Sequence, residues 1–476
     1  MSDTLTARFA ALIGEANVLT APDALARHGA DATGDFGGRP RAVIRPGSTA
    51  EVAAALRLAG ETGTPVVPLG GNTGVSGGAA ARPEGGAIVL SLERMARIRA
   101  LKPEARVAVA EAGVVLDTLH RAAEAEGLIF PLSFGARGSC TIGGNLATNA
   151  GGSNVLRYGS ARALCLGLEV VTPAGEVMDL MTELHKDNSG YDLKDLYIGS
   201  EGTLGVITAA VLKLFPRPRA YATAMIAVPG LGPALGLLNR LQQESGGAVE
   251  AFEYMPGSYM EALAERFPDT RPPFDRTYPV NILVELGATA PRDADPGPDG
   301  RVPVVALLED SLAAMLGSGA LLDAAVAQSG AQRQEMWARR EAAYEVSVMR
   351  RPMVNNDIAL PLDRVESFLA RMAEVLPRVA PGAEDVTVGH LGDGNLHYCV
   401  WLDRTAGGAA LYGAVQEAVE DEVAALGGTF SAEHGIGLAK LGTMARRKPA
   451  PALAAMRAIK AALDPGGIMN PGKLLP

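Results

Sequence analysis

Two histidines seven residues apart are the first feature of the sequence that could carry out chemistry. His390 and His397 lie in VGHLGDGNLHYCV, around Gly392, Asp393 and Gly394. In a helix the two rings would stand roughly 10 Å apart along the axis, too far for one ion with bonds of about 2.1 Å. Asp393-Gly394 is instead typical of a β-hairpin, which would bring both histidines to one end of two neighbouring strands. The hairpin predicts two imidazoles that can share a metal ion, and hydrogen-bonded strand histidines are the alternative.

A carboxylate and a third histidine occur together further along the chain. FSAEHGIG places Glu433 and His434 before Gly435, in a segment too polar to be core. Two imidazoles and one glutamate, with coordination positions left open for a substrate oxygen, are typical of catalytic Zn²⁺. The sequence therefore predicts a divalent metal held by His390, His397 and Glu433, with Zn²⁺ as the first choice and Mn²⁺ or Fe²⁺ as alternatives.

Three glycine-rich segments could hold a second, larger ligand. PLGGNTGVSGGA, residues 68–79, follows a predicted strand, so its backbone amides can approach a pyrophosphate without a Cβ in the way. It lacks the nicotinamide fingerprint G-x-G-x-x-G, because Leu69 stands where the first glycine is needed. Residues 138–159 offer small and amide side chains that suit the wall of a polar ring system, and residues 191–208 end in glycine turns. One such cluster alone favours a tight surface loop, but three together predict a nucleotide cofactor.

The elements that position these segments follow from the hydrophobic pattern. Residues 41–70 predict strand, helix and strand, with Thr49 as the cap of the Ala-rich helix. Strands and helices alternate through the first half as far as PRPR, residues 216–219, and a new series of strands and helices then begins. The predicted divisions are a cofactor domain over residues 1–219, a substrate domain over 220–425 and a C-terminal segment over 426–476 that completes the site.

Bulk properties limit the classes of function. The 476 residues exceed what one core usually organises, and 48% hydrophobic with 20% charged residues is globular. The net charge of −10 argues against a nucleic-acid partner. Three scattered cysteines predict neither disulfides nor a thiolate zinc site, which fits a reducing cytoplasm. The N-terminal residues MSDTLTARFAALIGEAN form a short amphipathic pattern without the apolar core of a secretion signal, and no apolar run is long enough to span a membrane.

The three glycine-rich segments, in this order, resemble the FAD-binding domain of the vanillyl-alcohol oxidase-like flavoproteins. With the C-terminal motifs, most of residues 40–476 is similar to the D-2-hydroxyglutarate and D-lactate dehydrogenase branch. The resemblance implies an α+β fold: a two-part FAD-binding domain, a cap domain on an antiparallel sheet and a helical C-terminal segment. Some relatives join FAD to a histidine of the first glycine loop, whereas this loop has Asn72 and neither His nor Cys, which implies non-covalent FAD. The implied cofactor residues are Pro68, Gly70, Gly71, Asn72, Thr73, Gly74, Ser139, Gly143, Gly144, Thr148, Gly152, Ile207 and, at the isoalloxazine, Asn470.

The same resemblance implies a dehydrogenase that oxidises a D-2-hydroxy acid to its 2-oxo acid. His434 matches the general base, and Arg340, in EMWARREAAYEV, matches the anchor of the substrate carboxylate. A solvated helix face is the alternative for Arg340. The hydroxyglutarate enzymes carry Thr, Lys and Asn where this chain has Tyr344, Asn355 and Cys399. Loss of the lysine removes a partner for a second carboxylate, so a substrate with an uncharged tail is an equal expectation.

The sequence also gives expectations for the electron acceptor, the assembly and competing functions. The resemblance favours electron-transfer flavoprotein as electron acceptor, with a quinone as the alternative, and a homodimer is the common assembly. One competing hypothesis is a metal-independent flavin oxidase or reductase that acts on an alcohol or a sugar. Another is a zinc hydrolase in which the glycine segments are only turns.

Overall fold

The computed structural model describes residues 4–476, so the first three residues of the amphipathic N-terminal pattern lie outside the described part of the chain. The strands are β1 (Val18–Leu19), β2 (Ala42–Ile44), β3 (Val66–Leu69), β4 (Ile88–Ser91), β5 (Ile98–Lys102), β6 (Val107–Glu111), β7 (Leu128–Ile129), β8 (Cys165–Val171), β9 (Val177–Leu180), β10 (Val206–Lys213), β11 (Phe215–Pro216), β12 (Ala220–Val228), β13 (Val249–Pro256), β14 (Val280–Ala288), β15 (Asp323–Val326), β16 (Met353–Ala359), β17 (Glu384–Asp385), β18 (Val388–His390) and β19 (Asn395–Trp401). The α-helices are α1 (Thr4–Ile13), α2 (Pro22–Gly29), α3 (Thr49–Thr62), α4 (Leu116–Ala125), α5 (Ile142–Ala147), α6 (Val155–Tyr158), α7 (Ala161–Leu164), α8 (Lys194–Tyr197), α9 (Leu231–Glu244), α10 (Gly257–Arg266), α11 (Pro291–Ala294), α12 (Pro303–Gly317), α13 (Gly330–Glu341), α14 (Ala343–Ser347), α15 (Val365–Val379), α16 (Tyr412–Ala425), α17 (Leu441–Arg447) and α18 (Ala450–Leu463).

The chain divides into two compact units. The first comprises Met1–Gly151, Gly159–Pro216 and Glu433–Pro476, and the second comprises Gly152–Tyr158 and Arg217–Ala432. The last division therefore falls at the peptide bond between Ala432 and Glu433. The domain boundaries drawn from the sequence at 219 and 425 stay predictions.

The first unit opens on the strand–helix–strand pattern that the sequence predicts. Strands β2, β4 and β3 are parallel neighbours in a four-stranded sheet of order β1-β2-β4-β3. The expected cap of α3 is wrong by one residue. Ser48 is the extended residue whose side chain accepts from the backbone of Glu51, while Thr49 begins the helix and donates to Glu169 Oε1 at 2.6 Å.

A second sheet and the C-terminal segment complete the first unit. The order β5-β6-β10-β8-β9 is antiparallel throughout. The C-terminal segment joins the parallel sheet at the strand that leads into the first glycine loop: Val66 donates to Ile468 O, and Asn470 donates back to Val66 O, each at 2.8 Å. These bonds fix the end of the chain against β3.

The second unit is organised by an eight-stranded sheet. Its order is β15-β12-β14-β13-β18-β19-β16, with β17 also paired to β19, and every pairing is antiparallel. One face carries the apolar core that includes Ile226, Phe252, Val284 and Phe368. Because side chains alternate along a strand, the residues between these core positions, such as Glu253, face the other side. That second face carries polar side chains such as Glu253 beside a smaller apolar cluster that includes Met255 and Trp401.

Across residues 4–476, no helix has both the length and the apolar character that are needed to cross a bilayer.

Candidate active site

The two histidines lie on a β-hairpin, as the sequence predicts. Strands β18 and β19 pair antiparallel, with His390 opposite Asn395 and Val388 opposite His397. The turn needs Gly394, because φ there is 83° and a Cβ would overlap the carbonyl oxygen of Leu360. This register puts both imidazoles on one face of the sheet, with ring centroids 5.5 Å apart and an angle of 81° between the rings.

A buried carboxylate lies beside each histidine. His390 Nδ1 lies 2.9 Å from Glu253 Oε1 and 2.8 Å from Oε2, and His397 Nδ1 lies 4.0 Å from Asp357 Oδ1. Both carboxylate side chains are 1% exposed, so water does not solvate them. Asp357 and His397, which are opposite each other in the β16–β19 register, can each offer an atom to a metal ion. The sequence had indicated neither carboxylate.

The residue that precedes the Glu433-His434 segment is hydrogen-bonded to Asp357. The backbone N–H of Ala432 donates to Asp357 Oδ2 at 3.2 Å, and Asn395 Nδ2 donates to Oδ1 at 3.0 Å. Glu433 and His434 are the next two residues of the chain.

Arg340 is buried against the same sheet face. Its Nε atom lies 2.7 Å from Glu253 Oε2, and its side chain is 8% exposed. The alternative of a solvated helix face is therefore wrong for Arg340. Burial alone would raise the pKa of Glu253, but the neighbouring His390 and Arg340 hold it below its usual value.

Two residues predicted to contact the substrate tail lie on β16 and β19, the strands that also carry Asp357 and His397. Asn355 lies opposite Cys399 in the β16–β19 register, and Cys399 Sγ is 3.4 Å from Asn355 Oδ1. This pair is two residues from the Asp357–His397 pair, or roughly 7 Å along the strands. Tyr344 lies on α14 with 59% of its surface exposed. The contact of Asn355 and Cys399 with a substrate tail stays a prediction.

Two glycine-rich segments pack against each other in the first unit. A Cβ on Gly70 would lie 2.6 Å from Thr141 Oγ1, and a Cβ on Gly71 would overlap the carbonyl oxygen of Ser139. Among residues 4–476, the buried oxygens Asn72 Oδ1 and Thr141 Oγ1 have no hydrogen-bond partner. Buried polar atoms usually find partners, so two orphaned oxygens in these segments fit a polar ligand such as FAD.

The other residues implied for the cofactor lie in or near these segments. Pro68 lies in β3, Gly143 lies in α5, and Ile207 lies in β10. The remaining members are Thr73, Gly74, Gly144 and Thr148 in the first unit and Gly152 in the second unit. Their contacts with FAD stay predictions.

The predicted isoalloxazine residue is already engaged within the protein. Asn470 Nδ2 donates to the carbonyl oxygens of Glu201 at 2.7 Å and of Gly78 at 2.9 Å, and Asn470 Oδ1 accepts from Lys473 at 2.9 Å. Both amide N–H bonds are thus committed. Asn470 ties the chain end to the first glycine loop, and its contact with the flavin stays a prediction.

Glu201 binds the backbone of the segment that follows His434, within the first unit. Its carboxylate accepts from the backbone N–H groups of Ile436 and Gly437, each at 2.7 Å. Burial raises the pKa of Glu201 in spite of these bonds and of the nearby Lys473. The glycine-rich sequence of residues 191–208 gave no sign that this glutamate would be buried.

Lys473 gives a prediction for the pH dependence of stability. Burial lowers its pKa to about 7, so between that pH and the ordinary lysine range, near 10.4, the folded protein binds fewer protons at this site than the unfolded chain does. The free energy of unfolding should then rise with pH, by at most about 1.4 kcal/mol per pH unit. Lys473→Met removes this contribution. In urea unfolding, wild type should gain stability relative to the variant between pH 7 and pH 9, and a constant difference would contradict the burial argument.

Comparison with known protein families defines the class. Residues 40–181 match the family described as the FAD binding domain, and residues 217–474 match the family described as FAD linked oxidases, C-terminal domain. The chain is therefore an FAD-linked oxidoreductase.

Named relatives narrow the class to a family. The chain is 38% identical over 461 residues to the mitochondrial D-2-hydroxyglutarate dehydrogenase of Bos taurus, covering 96% of this chain and 81% of the relative. It is 36% identical over 458 residues to the D-2-hydroxyglutarate dehydrogenase of Xanthomonas citri pv. viticola, covering 96% and 93%. This chain belongs to the FAD-linked oxidase family that includes the D-2-hydroxyglutarate dehydrogenases.

Solved structures bear out the expected fold. The p-cresol methylhydroxylase with substrate bound has a TM-score of 0.77 at 16% identity, covering 99% of this chain and 96% of that one. An alkyldihydroxyacetonephosphate synthase has a TM-score of 0.73 at 17% identity, covering 99% and 84%. The predicted α+β architecture of the vanillyl-alcohol oxidase type is confirmed. With the enzyme class established, the zinc hydrolase hypothesis has no support.

Proposed function

We propose that this protein oxidises a D-2-hydroxy acid to the corresponding 2-oxo acid, with non-covalent FAD as hydride acceptor and a divalent metal held by His390, His397 and Glu433. The names of the relatives support the substrate class. The observation that carries the metal is the β18–β19 hairpin. Its two imidazoles share one face, and each has a buried carboxylate beside Nδ1.

The donor chemistry fits such a metal. A histidine that ligates through one ring nitrogen commonly donates its other N–H to a carboxylate, which is the arrangement at His390. Glu433 adds a carboxylate ligand. It directly follows Ala432, whose backbone N–H donates to Asp357. When bound, the cation lowers the pKa of the substrate 2-hydroxyl, and FAD accepts the hydride. Zn²⁺ suits two imidazoles and a carboxylate, with Mn²⁺ or Fe²⁺ as alternatives.

The protein's own residues bind the acid and remove its proton. Arg340 turns Nε towards Glu253 and has Nη2 3.4 Å from His390 Nδ1, and its guanidinium is assigned to the substrate carboxylate. His434 takes the proton from the 2-hydroxyl as general base. Asn355 and Cys399 face the tail of the substrate.

A substrate panel tests this function. D- and L-2-hydroxy acids are offered to the purified enzyme with a dye as electron acceptor, with and without added Zn²⁺ or Mn²⁺. We expect turnover of D-2-hydroxy acids alone, with stimulation by metal. Turnover of alcohols or sugars that does not respond to a chelator would favour the metal-independent oxidase instead.

The tail-facing residues give a prediction for specificity. Asn355→Lys places a cation where the Asn355–Cys399 pair faces the tail, so a second carboxylate gains a charge-assisted partner. We expect the KM for D-2-hydroxyglutarate to fall by about tenfold, with little change for D-lactate. Asn355→Gln, which keeps the amide, is the control. Equal changes for both acids in the lysine variant would show that Asn355 does not face the tail.

The proposal also includes the electron acceptor, the oligomeric state and the location of the protein. Electron-transfer flavoprotein is the proposed acceptor, with a quinone as the alternative, and the proposed setting is a homodimer in the cytoplasm. Reduction of purified electron-transfer flavoprotein by enzyme and substrate tests the first of these.

A further inference from the structure

Glu253 joins the predicted metal ligand to the predicted substrate anchor. Its carboxylate lies 2.8 Å from His390 Nδ1 and 2.7 Å from Arg340 Nε, and its side chain is 1% exposed. The contact with His390 follows from strand pairing, because Glu253 is opposite His390 in the β13–β18 register. One carboxylate therefore contacts both functional side chains.

This carboxylate determines which ring nitrogen of His390 carries a proton. An ionised carboxylate can only accept, so at 2.8 Å it selects the imidazole with a proton on Nδ1, and the ring electron pair is then on Nε2. Arg340 does not oppose this choice. Its Nη2 atom lies 3.4 Å from Nδ1 and 3.5 Å from Nε2, so it favours neither ring nitrogen.

We propose that Glu253 is a positioning residue that fixes the Nδ1–H tautomer of His390 and holds the Nε edge of Arg340. The inference rests on the proposed function, since it states how the metal ligand and the carboxylate anchor are oriented. In this role Glu253 acts through His390 and Arg340. Its effect is to orient the His390 ring for a metal ion on the Nε2 side and the guanidinium of Arg340 for an acid.

The same sheet supplies a matched control. Glu285, on the neighbouring strand β14, is also buried and also pairs with an arginine of α13: Arg333 Nε donates to its Oε2 at 2.7 Å. Its other partners are Trp337 Nε1, at 2.9 Å, and the hydroxyl of Thr223. Glu285→Gln therefore weakens a buried Glu–Arg pair between the same sheet and the same helix, without touching His390.

Metal affinity is the first readout. Wild type, Glu253→Gln, Glu285→Gln and His390→Gln are freed of metal with a chelator, with FAD retained, and titrated with Zn²⁺ in a calorimeter. The amide of glutamine can both donate and accept, so it no longer selects one tautomer of His390. We expect the Kd for Zn²⁺ to rise about 10- to 100-fold in Glu253→Gln and to stay within about twofold in Glu285→Gln. Equal effects of the two variants would overturn the inference.

The tautomer itself is the second readout, and it needs neither metal nor turnover. The ¹⁵N chemical shifts of histidine-labelled, metal-free protein report which ring nitrogen is protonated, and His390→Gln assigns the signal. Wild type should show His390 protonated on Nδ1, and Glu253→Gln should show a mixture. A wild-type His390 protonated on Nε2 would contradict the proposal, even where Glu253→Gln fails to fold.

These readouts separate the inference from the function on which it rests. If wild type binds Zn²⁺ through His390 while Glu253→Gln keeps wild-type affinity and tautomer, the inference fails and the proposed function stands. If wild type binds no Zn²⁺, the metal-assisted function fails, and the tautomer measurement still decides whether Glu253 orients His390.

Discussion

His390→Ala is expected to lower kcat/KM for a D-2-hydroxy acid by at least about 100-fold, because it removes one of two imidazoles from the proposed metal site. The loss should resemble the effect of a chelator on wild type. Added Zn²⁺ should restore the chelated wild type but not the variant. Steady-state rates and elemental analysis of bound metal measure both effects.

His185 provides the control for this substitution. It is an exposed histidine in the first unit, far along the sequence from the hairpin. His185→Ala should keep its metal content, its flavin and its rate. If His390→Ala also kept its rate while its metal was lost, the metal would have no part in the reaction.

His434→Ala is expected to lower kcat by about 10²- to 10⁴-fold, the usual contribution of a general base. The side chain is proposed to take the proton from the 2-hydroxyl, so substrate binding should change much less than kcat. Flavin content should be unchanged, and metal content should stay close to wild type. Stopped-flow reduction of the flavin separates this chemical step from later electron transfer.

Chemical rescue tests the role of His434 more directly. Imidazole added to His434→Ala should restore part of the rate of flavin reduction, because a small base can occupy the space that the substitution leaves. His120→Gln, which alters a half-buried histidine bonded to the carbonyl oxygen of Leu132, serves as a comparison that imidazole should not rescue. A full rate of flavin reduction in His434→Ala without imidazole would refute the assignment as base.

The sequence predicted the hairpin because its signals are local. Asp393-Gly394 specifies the turn, and the alternation of residues on either side specifies which side chains share a face. The same local reasoning gave the strand–helix–strand unit, but it could not distinguish Ser48 from Thr49 as the cap. Either residue has a hydroxyl, and only the backbone conformation decides which of them is extended.

Contacts between distant segments were beyond prediction. Glu253 reaches His390 only because β13 and β18 are neighbours in the sheet, and these residues are 137 positions apart. Sequence periodicity does not give strand order. A signal was nevertheless present, since VEAFEYMP contains two glutamates within a strand whose every residue is buried. A charged residue in a fully buried strand requires a partner, which makes it a functional candidate before the partner is known.

Arg340 shows how the structure refines a prediction made from resemblance. The sequence indicated a carboxylate anchor, and the burial of the side chain removes the solvated alternative. The structure adds that part of its guanidinium is committed to Glu253, so the geometry of the anchor depends on a residue from another strand. The nature of the substrate tail stays a prediction, because an amide at Asn355 and a thiol at Cys399 carry no positive charge that would select a second carboxylate.

The most direct test of the account is the anaerobic reduction of bound FAD in a single turnover. Metal-loaded and metal-free enzyme are each mixed with the D- and the L-enantiomer of one 2-hydroxy acid, and the flavin absorbance is followed. Metal-assisted oxidation of a D-2-hydroxy acid predicts rapid bleaching of the flavin when the D-acid and the metal are both present. It predicts slow or no bleaching when either the metal or the D-configuration is missing. Bleaching at the same rate in metal-free enzyme, or with the L-acid, would contradict it.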